Sequence, residues 1–155
     1  MIHTENLTKK FKSTLAVDRL SLDVKEGEVF GFLGQNGAGK TTTVRLLTSL
    51  IGPSSGTAVV NGFTIGKDDK AIRSSVGILT ETPGMYDNLS AEYNLQIYAS
   101  LYEVKDPQGQ VEKYLRMLGL WERRFDEAGT FSKGMKQKLA IARALLNEPR
   151  LLFLD

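Results

Sequence analysis

GQNGAGKT, residues 34–41, lies between the apolar run VFGFL at 29–33 and a helical stretch predicted at about 40–50. It fits the pattern G-x-x-x-x-G-K-[ST], in which a glycine-rich loop joins a strand to a helix. Apolar runs without polar interruption are typical of parallel strands buried on both faces, so residues 29–33 are predicted to form one. The turn GPSSG at 52–56 is predicted to end the helix, because proline and glycine do not continue it.

This loop has the chemistry of a phosphate site. Its glycines let the backbone curl, so that successive N–H groups converge on an anion at the positive end of the helix dipole. Lys40 is predicted to reach the β- and γ-phosphates of a nucleotide, and the Thr41 hydroxyl is predicted to bind Mg²⁺. The alternative is a glycine turn that caps a helix and carries Lys-Thr by coincidence. The predicted nucleotide-binding residues are Gly34, Asn36, Gly37, Ala38, Gly39, Lys40, Thr41 and Thr42.

Composition limits the remaining possibilities. The chain has 155 residues, of which 41% are apolar and 25% are charged, as expected for one globular domain. It has no cysteine and a single histidine, His3, so thiolate metal sites, cysteine nucleophiles and Ser-His-Asp triads are excluded. The net charge of +2 does not indicate a nucleic-acid partner. Without a bilayer-spanning apolar segment or the apolar core of a signal peptide, the chain is expected to be cytosolic.

Strand patterns dominate the N-terminal part of the chain. Residues 1–33 are predicted to form strands with turns, and the alternation of apolar and polar residues over 20–24 is typical of a strand. The Asn-Gly pair at 61–62 predicts a β-hairpin. The run VGIL at 76–79 predicts a further strand. Residues 1–84 are therefore interpreted as a β subdomain together with the phosphate-loop core.

Helical patterns dominate residues 85–147. Ser90 is a predicted N-cap, and a second helix is predicted to begin at Pro107, since proline is well tolerated in a first turn. The predicted apolar face of the first helix consists of Leu89, Tyr93, Ile97 and Leu101. This segment is interpreted as a helical insertion in an α/β core, and residues 148–155 as a final strand.

A guanine-nucleotide enzyme is not favoured. It requires an Asn/Thr-Lys-x-Asp element to recognise guanine, and the chain has none. The D-x-x-G match after the loop, DPQG at 106–109, lies in a polar stretch and not at the end of a strand.

Residues 131–155, FSKGMKQKLAIARALLNEPRLLFLD, carry a second motif. Ser132 is a good N-cap, and an N-capped helix start is again an anion site. The helix behind it is predicted to pack through Met135, Leu139, Ala142 and Leu146. The segment resembles the signature of ABC-type ATPases followed by their Walker B strand, although Lys133 and Met135 depart from the usual L-S-G-G-Q pattern.

The resemblance covers nearly the whole chain and implies a head-to-tail dimer. In that family the signature closes on the γ-phosphate of a nucleotide bound to a second subunit, which assigns Ser132 and Gly134 to a site in trans. Lys133 would add positive charge near that phosphate. The alternative is that Ser132 only caps a helix.

Two further positions take a role from the resemblance. Phe11 occupies the place of the aromatic residue that stacks on adenine, and the alternative is that it packs in the strand core. Glu81 lies where the family carries a glutamine that senses Mg²⁺, water and the membrane subunit. It is assigned as a catalytic residue and a Mg²⁺ ligand, direct or through water, and the alternative is an ordinary exposed loop glutamate.

The last residue, Asp155, follows LLFL at 151–154, which is predicted to be a buried parallel strand. By resemblance Asp155 holds Mg²⁺ through water. The glutamate and histidine that serve hydrolysis in the family have no counterpart here, and neither do its C-terminal strands, so the chain is interpreted as truncated. Without the strand that lies between them, residues 29–33 and 151–154 are expected to face a gap in the sheet, and hydrolysis is expected to be weak or absent.

The fold expected from the resemblance is an α/β P-loop core with an N-terminal antiparallel β subdomain and a helical insertion. The expected function is the ATP-binding subunit of a membrane transporter, with export favoured and with ATP and Mg²⁺ as cofactors. Its expected partners are a second ATP-binding subunit and an integral membrane subunit that holds it at the inner face of the membrane. The alternatives are a soluble ABC-type ATPase acting on ribosomes or DNA, and a non-catalytic ATP-dependent dimerisation module.

Overall fold

The structure is a computed structural model that describes residues 1–80 and 84–155. It divides into two compact units, Met1–Val76 and Gly77–Asp155. The first unit carries the phosphate loop, and the second carries the signature segment and Asp155.

The first unit is built on a four-stranded sheet in the order β2-β1-β3-β4. Its strands are antiparallel neighbours, which confirms the predicted N-terminal antiparallel β structure. The turn at 61–62 has φ 53° at Asn61 and 87° at Gly62, the signs that a type I′ hairpin requires, so that predicted hairpin is confirmed. The strands are β1 (Ile2–Phe11), β2 (Thr14–Val24), β3 (Ser55–Val60) and β4 (Phe63–Thr64).

Two helices complete this unit, α1 (Lys40–Leu47) and α2 (Asp69–Ser75). Helix α1 ends earlier than the turn at 52–56 predicted, because Ser49 adopts φ 54° and the Leu50 N–H donates to Arg45 O at 2.9 Å. A residue in the left-handed region ends a helix in the same way as glycine does. The fully buried core of the unit is Leu7, Leu46, Ala58, Val60 and Ile72.

Residues 29–33 do not form the buried strand that their sequence predicts. No described residue pairs with them in a sheet, and Val29 and Leu33 are 99% and 94% exposed. A strand depends on hydrogen bonds to neighbouring strands, which an apolar composition does not provide. The prediction of a strand buried on both faces is therefore wrong for this structure.

The second unit combines helices with a two-stranded sheet made of β5 (Val76–Leu79), whose first residue is the last residue of the first unit, and β6 (Leu151–Leu154). Its helices are α3 (Ala91–Leu101), α4 (Pro107–Met117) and α5 (Lys133–Leu145), and its 3-10 turns are Trp121–Arg123 and Ala128–Thr130. The fully buried leucines of its core are Leu95, Leu115, Leu120, Leu139 and Leu146.

Helix α3 begins as predicted but faces the core differently. The Ser90 side chain accepts the Tyr93 N–H at 3.1 Å, which confirms the N-cap. The predicted apolar face is wrong, since Tyr93 and Leu101 are 53% and 68% exposed. The buried residues of the helix are Ala91, Asn94, Leu95 and Ala99. Small residues and hydrogen-bonded polar residues can occupy core positions. The spacing of the apolar residues alone therefore does not identify the buried face of the helix.

Helix α4 begins at Pro107, as predicted. The Asp106 side chain accepts the Gly109 N–H at 3.0 Å, so the sequence DPQG is a helix start. Strand β6 also forms where it was predicted, but Leu152 and Leu154 are 40% and 70% exposed, so its predicted burial is wrong. Only one described strand, β5, pairs with it.

None of the helices in the described residues is long and apolar enough to cross a membrane.

Candidate phosphate-binding site

The phosphate loop runs directly into the N-terminus of α1. Gly37 and Gly39 have φ values of 83° and 87°, and Gly39 is the residue from which the helix begins. No described side chain caps this helix start. The first-turn N–H groups of a helix have no partner within the helix, and here they lie beside an exposed loop. The backbone thus presents the donors that an anion requires.

Gly39 is held against the neighbouring strand more closely than any side chain allows. A Cβ added at this position would lie 2.1 Å from Ala16 O in β2. The Gly39 carbonyl in turn accepts the Thr43 N–H at 2.8 Å and the Thr43 hydroxyl at 2.9 Å. The position of the helix start is fixed by close backbone packing on one side and, on the other, by the two hydrogen bonds that the Gly39 carbonyl accepts.

Lys40 folds back over the loop that precedes it. Its ammonium donates to Gly34 O and to Gln35 O, each at 2.8 Å. An ammonium has three donors, so one remains for a phosphate oxygen when these two bonds persist. Thr41 is exposed and Thr42 is half-buried at the same turn. The predicted residues of the loop are thus brought together on one helix start.

The signature segment forms a second helix start, at α5. Ser132 Oγ accepts the Met135 N–H at 3.3 Å, which confirms the predicted N-cap. Ser132 and Gly134 are exposed, and a Cβ added at Gly134 would meet no atom within 4 Å. The predicted packing of the helix is confirmed, because Leu139, Ala142 and Leu146 are fully buried and Met135 packs half-buried against the same core.

Phe11 ends β1 with its side chain 46% exposed, so it does not pack in the strand core. The Lys9 ammonium lies 5.1 Å from the centroid of its ring. A cation on one face leaves the other face available to a planar ligand. Adenine stacking stays a prediction.

The predicted metal ligands are distributed over both units. Thr41 belongs to the first unit, and Asp155 follows β6 in the second, where its N–H donates to Leu79 O at 2.9 Å. Glu81, the third predicted ligand, lies outside the described residues. Within the described ranges no group of three or more His, Cys, Asp or Glu side chains forms a metal cluster. Hydroxyl and carboxylate oxygens are ligands that suit Mg²⁺, which retains several waters.

Sequence reasoning missed Asn94, which shapes the second unit. Its side chain is fully buried, accepts the Tyr86 N–H at 2.8 Å and donates to Leu89 O and Ser90 O at 3.2 and 3.0 Å. A buried asparagine and an exposed one look the same in a helical pattern, so periodicity carries no signal for it.

Comparison with known proteins adds to this geometry. The family model described as ABC transporter matches residues 17–155. The bacitracin transport ATP-binding proteins BcrA of Bacillus licheniformis and Enterococcus faecalis are 44% and 42% identical over 155 residues, which is the whole chain and 50% of each relative. A solved ATP-binding subunit of an ABC transporter is 30% identical with a TM-score of 0.86, over 99% of this chain and 65% of that one. The chain spans about half the length of the curated relatives it matches.

Proposed function

Because this chain belongs to the ABC transporter family of ATP-binding domains, we propose that it is the subunit whose ATP binding powers transport of a substrate across a membrane. The observation that carries the proposal is the start of α1. Gly39 and Lys40 there combine uncapped helix amides with an ammonium fixed over the same loop. The substrate class follows from this geometry, since phosphates bind at such helix starts.

Within this proposal the loop residues bind and orient the polyphosphate. The backbone N–H groups at the start of α1 donate to phosphate oxygens, and Lys40 neutralises charge on the β- and γ-phosphates. Mg²⁺, when bound, supplies charge neutralisation at the same phosphates. The Thr41 hydroxyl is its proposed oxygen ligand, and the resemblance assigns Asp155 a contact to Mg²⁺ through water, while Phe11 stacks on the adenine ring.

The exposed start of α5 serves a nucleotide held by a second subunit. Ser132 and Gly134 leave room for a phosphate to approach the first-turn amides, since both residues are exposed and a Cβ added at Gly134 would meet no atom within 4 Å. The support for this role is the resemblance of residues 131–155 to the family signature. We propose a dimer of ATP-binding subunits with two shared sites.

Transport requires a membrane partner. The two relatives named above carry the words bacitracin transport in their names, which supports transport as the function, and we propose export as its direction. We propose that the chain is peripheral at the inner face of the membrane, held there by an integral membrane subunit. Nucleic acid is not a proposed partner, in accord with the net charge of +2.

Members of the family hydrolyse ATP. We propose that Lys40 and the loop that precedes it bind the ATP that the family hydrolyses.

The experiment that tests the proposed binding is calorimetric titration of the chain with MgATP. Lys40→Ala is expected to weaken binding by about 100-fold, since it removes a charge-assisted contact to phosphate worth roughly 1.5–3 kcal/mol. Lys67→Ala is the matched control, because Lys67 is an exposed lysine of the same unit. Equal affinities of the two variants would overturn the role of Lys40 in binding.

A further inference from the structure

Asp87 contacts the chain on both sides of Ser132. Its backbone oxygen accepts the Gly129 N–H at 2.8 Å, and Gly129 shortly precedes Ser132. Its carboxylate lies 2.8 Å from the ammonium of Lys136, which belongs to the first turns of α5. One residue outside every motif thus connects to the segment that leads into the signature and to the helix that follows it.

The contact extends into a short antiparallel ladder, here called the brace, which joins residues 87–92 to residues 124–129. Ser90 and Glu127 form its central bridge. Its further backbone hydrogen bonds, at 2.9 to 3.1 Å, are Ala128 N–H to Leu89 O, Ala91 N–H to Asp126 O and Glu92 N–H to Arg124 O. Several parallel bonds resist displacement together, so the two segments are expected to move as one.

The brace rests on a fixed base. The side chain of Asn94 in α3, fully buried, bonds to both backbone groups of Tyr86 and to Leu89 O and Ser90 O. Because a buried amide whose bonds are satisfied is costly to displace, residues 86–90 are held in place by α3.

The residues between the brace and Ser132 are held in place by a hydrogen bond and by burial. The 3-10 turn Ala128–Thr130 begins within the brace, and its last N–H donates to Glu127 O at 3.0 Å. Phe131 follows it and is buried, only 5% exposed. A Cβ added at Gly129 would lie 2.8 Å from Asp87 O, so the two segments are already in closest contact. A shift of Asp87 must therefore move Gly129, and Ser132 moves with it.

We infer that Asp87 is a positioning residue for the signature serine, which sets the location of Ser132 through Gly129 and Lys136. The inference rests on the proposed function, because the location of Ser132 matters for the nucleotide of a second subunit. Asp87 touches neither nucleotide nor metal in this role.

The test uses the 155-residue chain and three variants. Asp87→Asn removes the charge of the contact, Asp87→Glu retains it, and the double variant Asp87→Lys/Lys136→Asp reverses it. The matched control is Glu112→Gln, which removes an ion pair of similar geometry, 2.7 Å to Arg116, within α4. The readouts are hydrogen exchange of the amides of residues 129–136 and self-association of the chain with a non-hydrolysable ATP analogue and Mg²⁺.

Asp87→Asn is expected to speed exchange at 129–136 by about threefold, the size of effect that a partly exposed ion pair has on local opening. Asp87→Glu and the charge reversal are expected to restore slow exchange, and Glu112→Gln to leave it unchanged. Unchanged exchange in Asp87→Asn, or no recovery in Asp87→Glu, would overturn the inference. Absence of nucleotide-dependent association in the unsubstituted chain would instead contradict the proposed dimer, and the exchange result would still decide the role of Asp87.

Discussion

Helix α1 begins from a glycine that has no room for a side chain, and helix α5 begins beside a glycine that has ample room. Gly39 lies so close to Ala16 O that an added Cβ would sit at 2.1 Å, whereas a Cβ at Gly134 would meet nothing within 4 Å. The first start is uncapped by any described side chain, and the second is capped by Ser132. The phosphate loop therefore takes its shape from backbone packing, and the signature takes its shape from side chains. This difference predicts opposite responses to the same substitution.

Gly39→Ala is expected to have the largest effect. A left-handed conformation costs a residue with a side chain about 1–2 kcal/mol, and the clash with Ala16 O adds about 1–3 kcal/mol of overpacking. We expect a loss of about 3 kcal/mol in the free energy of unfolding, measured by denaturant titration, together with loss of MgATP binding.

Gly37→Ala separates the two causes. Gly37 has a similar φ of 83°, but its added Cβ would meet no atom within 4 Å. It should lose only the conformational part, about 1–2 kcal/mol. Equal losses in the two variants would show that backbone packing against β2 does not shape the loop.

The local chemistry of the two helix starts could be predicted from the sequence, but their tertiary contacts could not. The residue types at 34–41 and at Ser132 determine their local chemistry, and both helices begin where they were predicted to begin. The close approach of Gly39 to Ala16 could not be predicted, because it depends on how β2 passes the loop. Local spacing carries no information on such tertiary contacts.

The errors have the same origin. Residues 29–33 look like a buried strand, yet burial requires partners, and the described sheets provide none for them. The apolar face predicted for α3 failed at Tyr93 and Leu101 because Asn94 occupies the core. Element type follows from local pattern, while burial follows from neighbours that are distant in sequence.

Gly134→Ala is expected to increase stability while it reduces function. Alanine is a better helix residue than glycine by about 0.5–1 kcal/mol, and the structure offers space for its methyl group. A phosphate that approaches the first-turn amides needs that same space. We expect a higher free energy of unfolding and about tenfold weaker association of the chain in the presence of a non-hydrolysable ATP analogue, roughly 1.4 kcal/mol.

A stabilised Gly134→Ala chain whose nucleotide-dependent association is as tight as before would refute the interpretation that a phosphate needs the space at Gly134. The start of α5 would then be an ordinary capped helix, which is the alternative for Ser132. A destabilised variant would contradict the open space at Gly134, and with it the contrast with Gly39.

The smallest expected effect concerns the ends of the same two helices. Beyond α1, the Arg73 guanidinium donates a hydrogen bond to Ser49 O at 3.1 Å. This contact contains no carboxylate that could be protonated at low pH. Beyond α5, Glu148 pairs with Lys113, and this hydrogen bond lowers the pKa of Glu148 below its usual value of 4.5. A carboxylate with a lowered pKa stabilises the folded state above its unfolded pKa. That contribution is lost as the pH falls from 4.5 through the lowered pKa, so only the α5 end is expected to respond there.

Carbon-detected NMR titration of the Glu148 carboxyl group measures this effect directly. The pKa of Glu148 should rise toward 4.5 in Lys113→Met, because the ammonium is the first cause of the shift. The difference in unfolding midpoint between the unsubstituted chain and Glu148→Gln should vanish below the lowered pKa, and it should be small at every pH because both side chains are exposed. A Glu148 pKa that does not change in Lys113→Met would show that the pair does not form in solution. The end of α5 would then be no more pH-dependent than the end of α1.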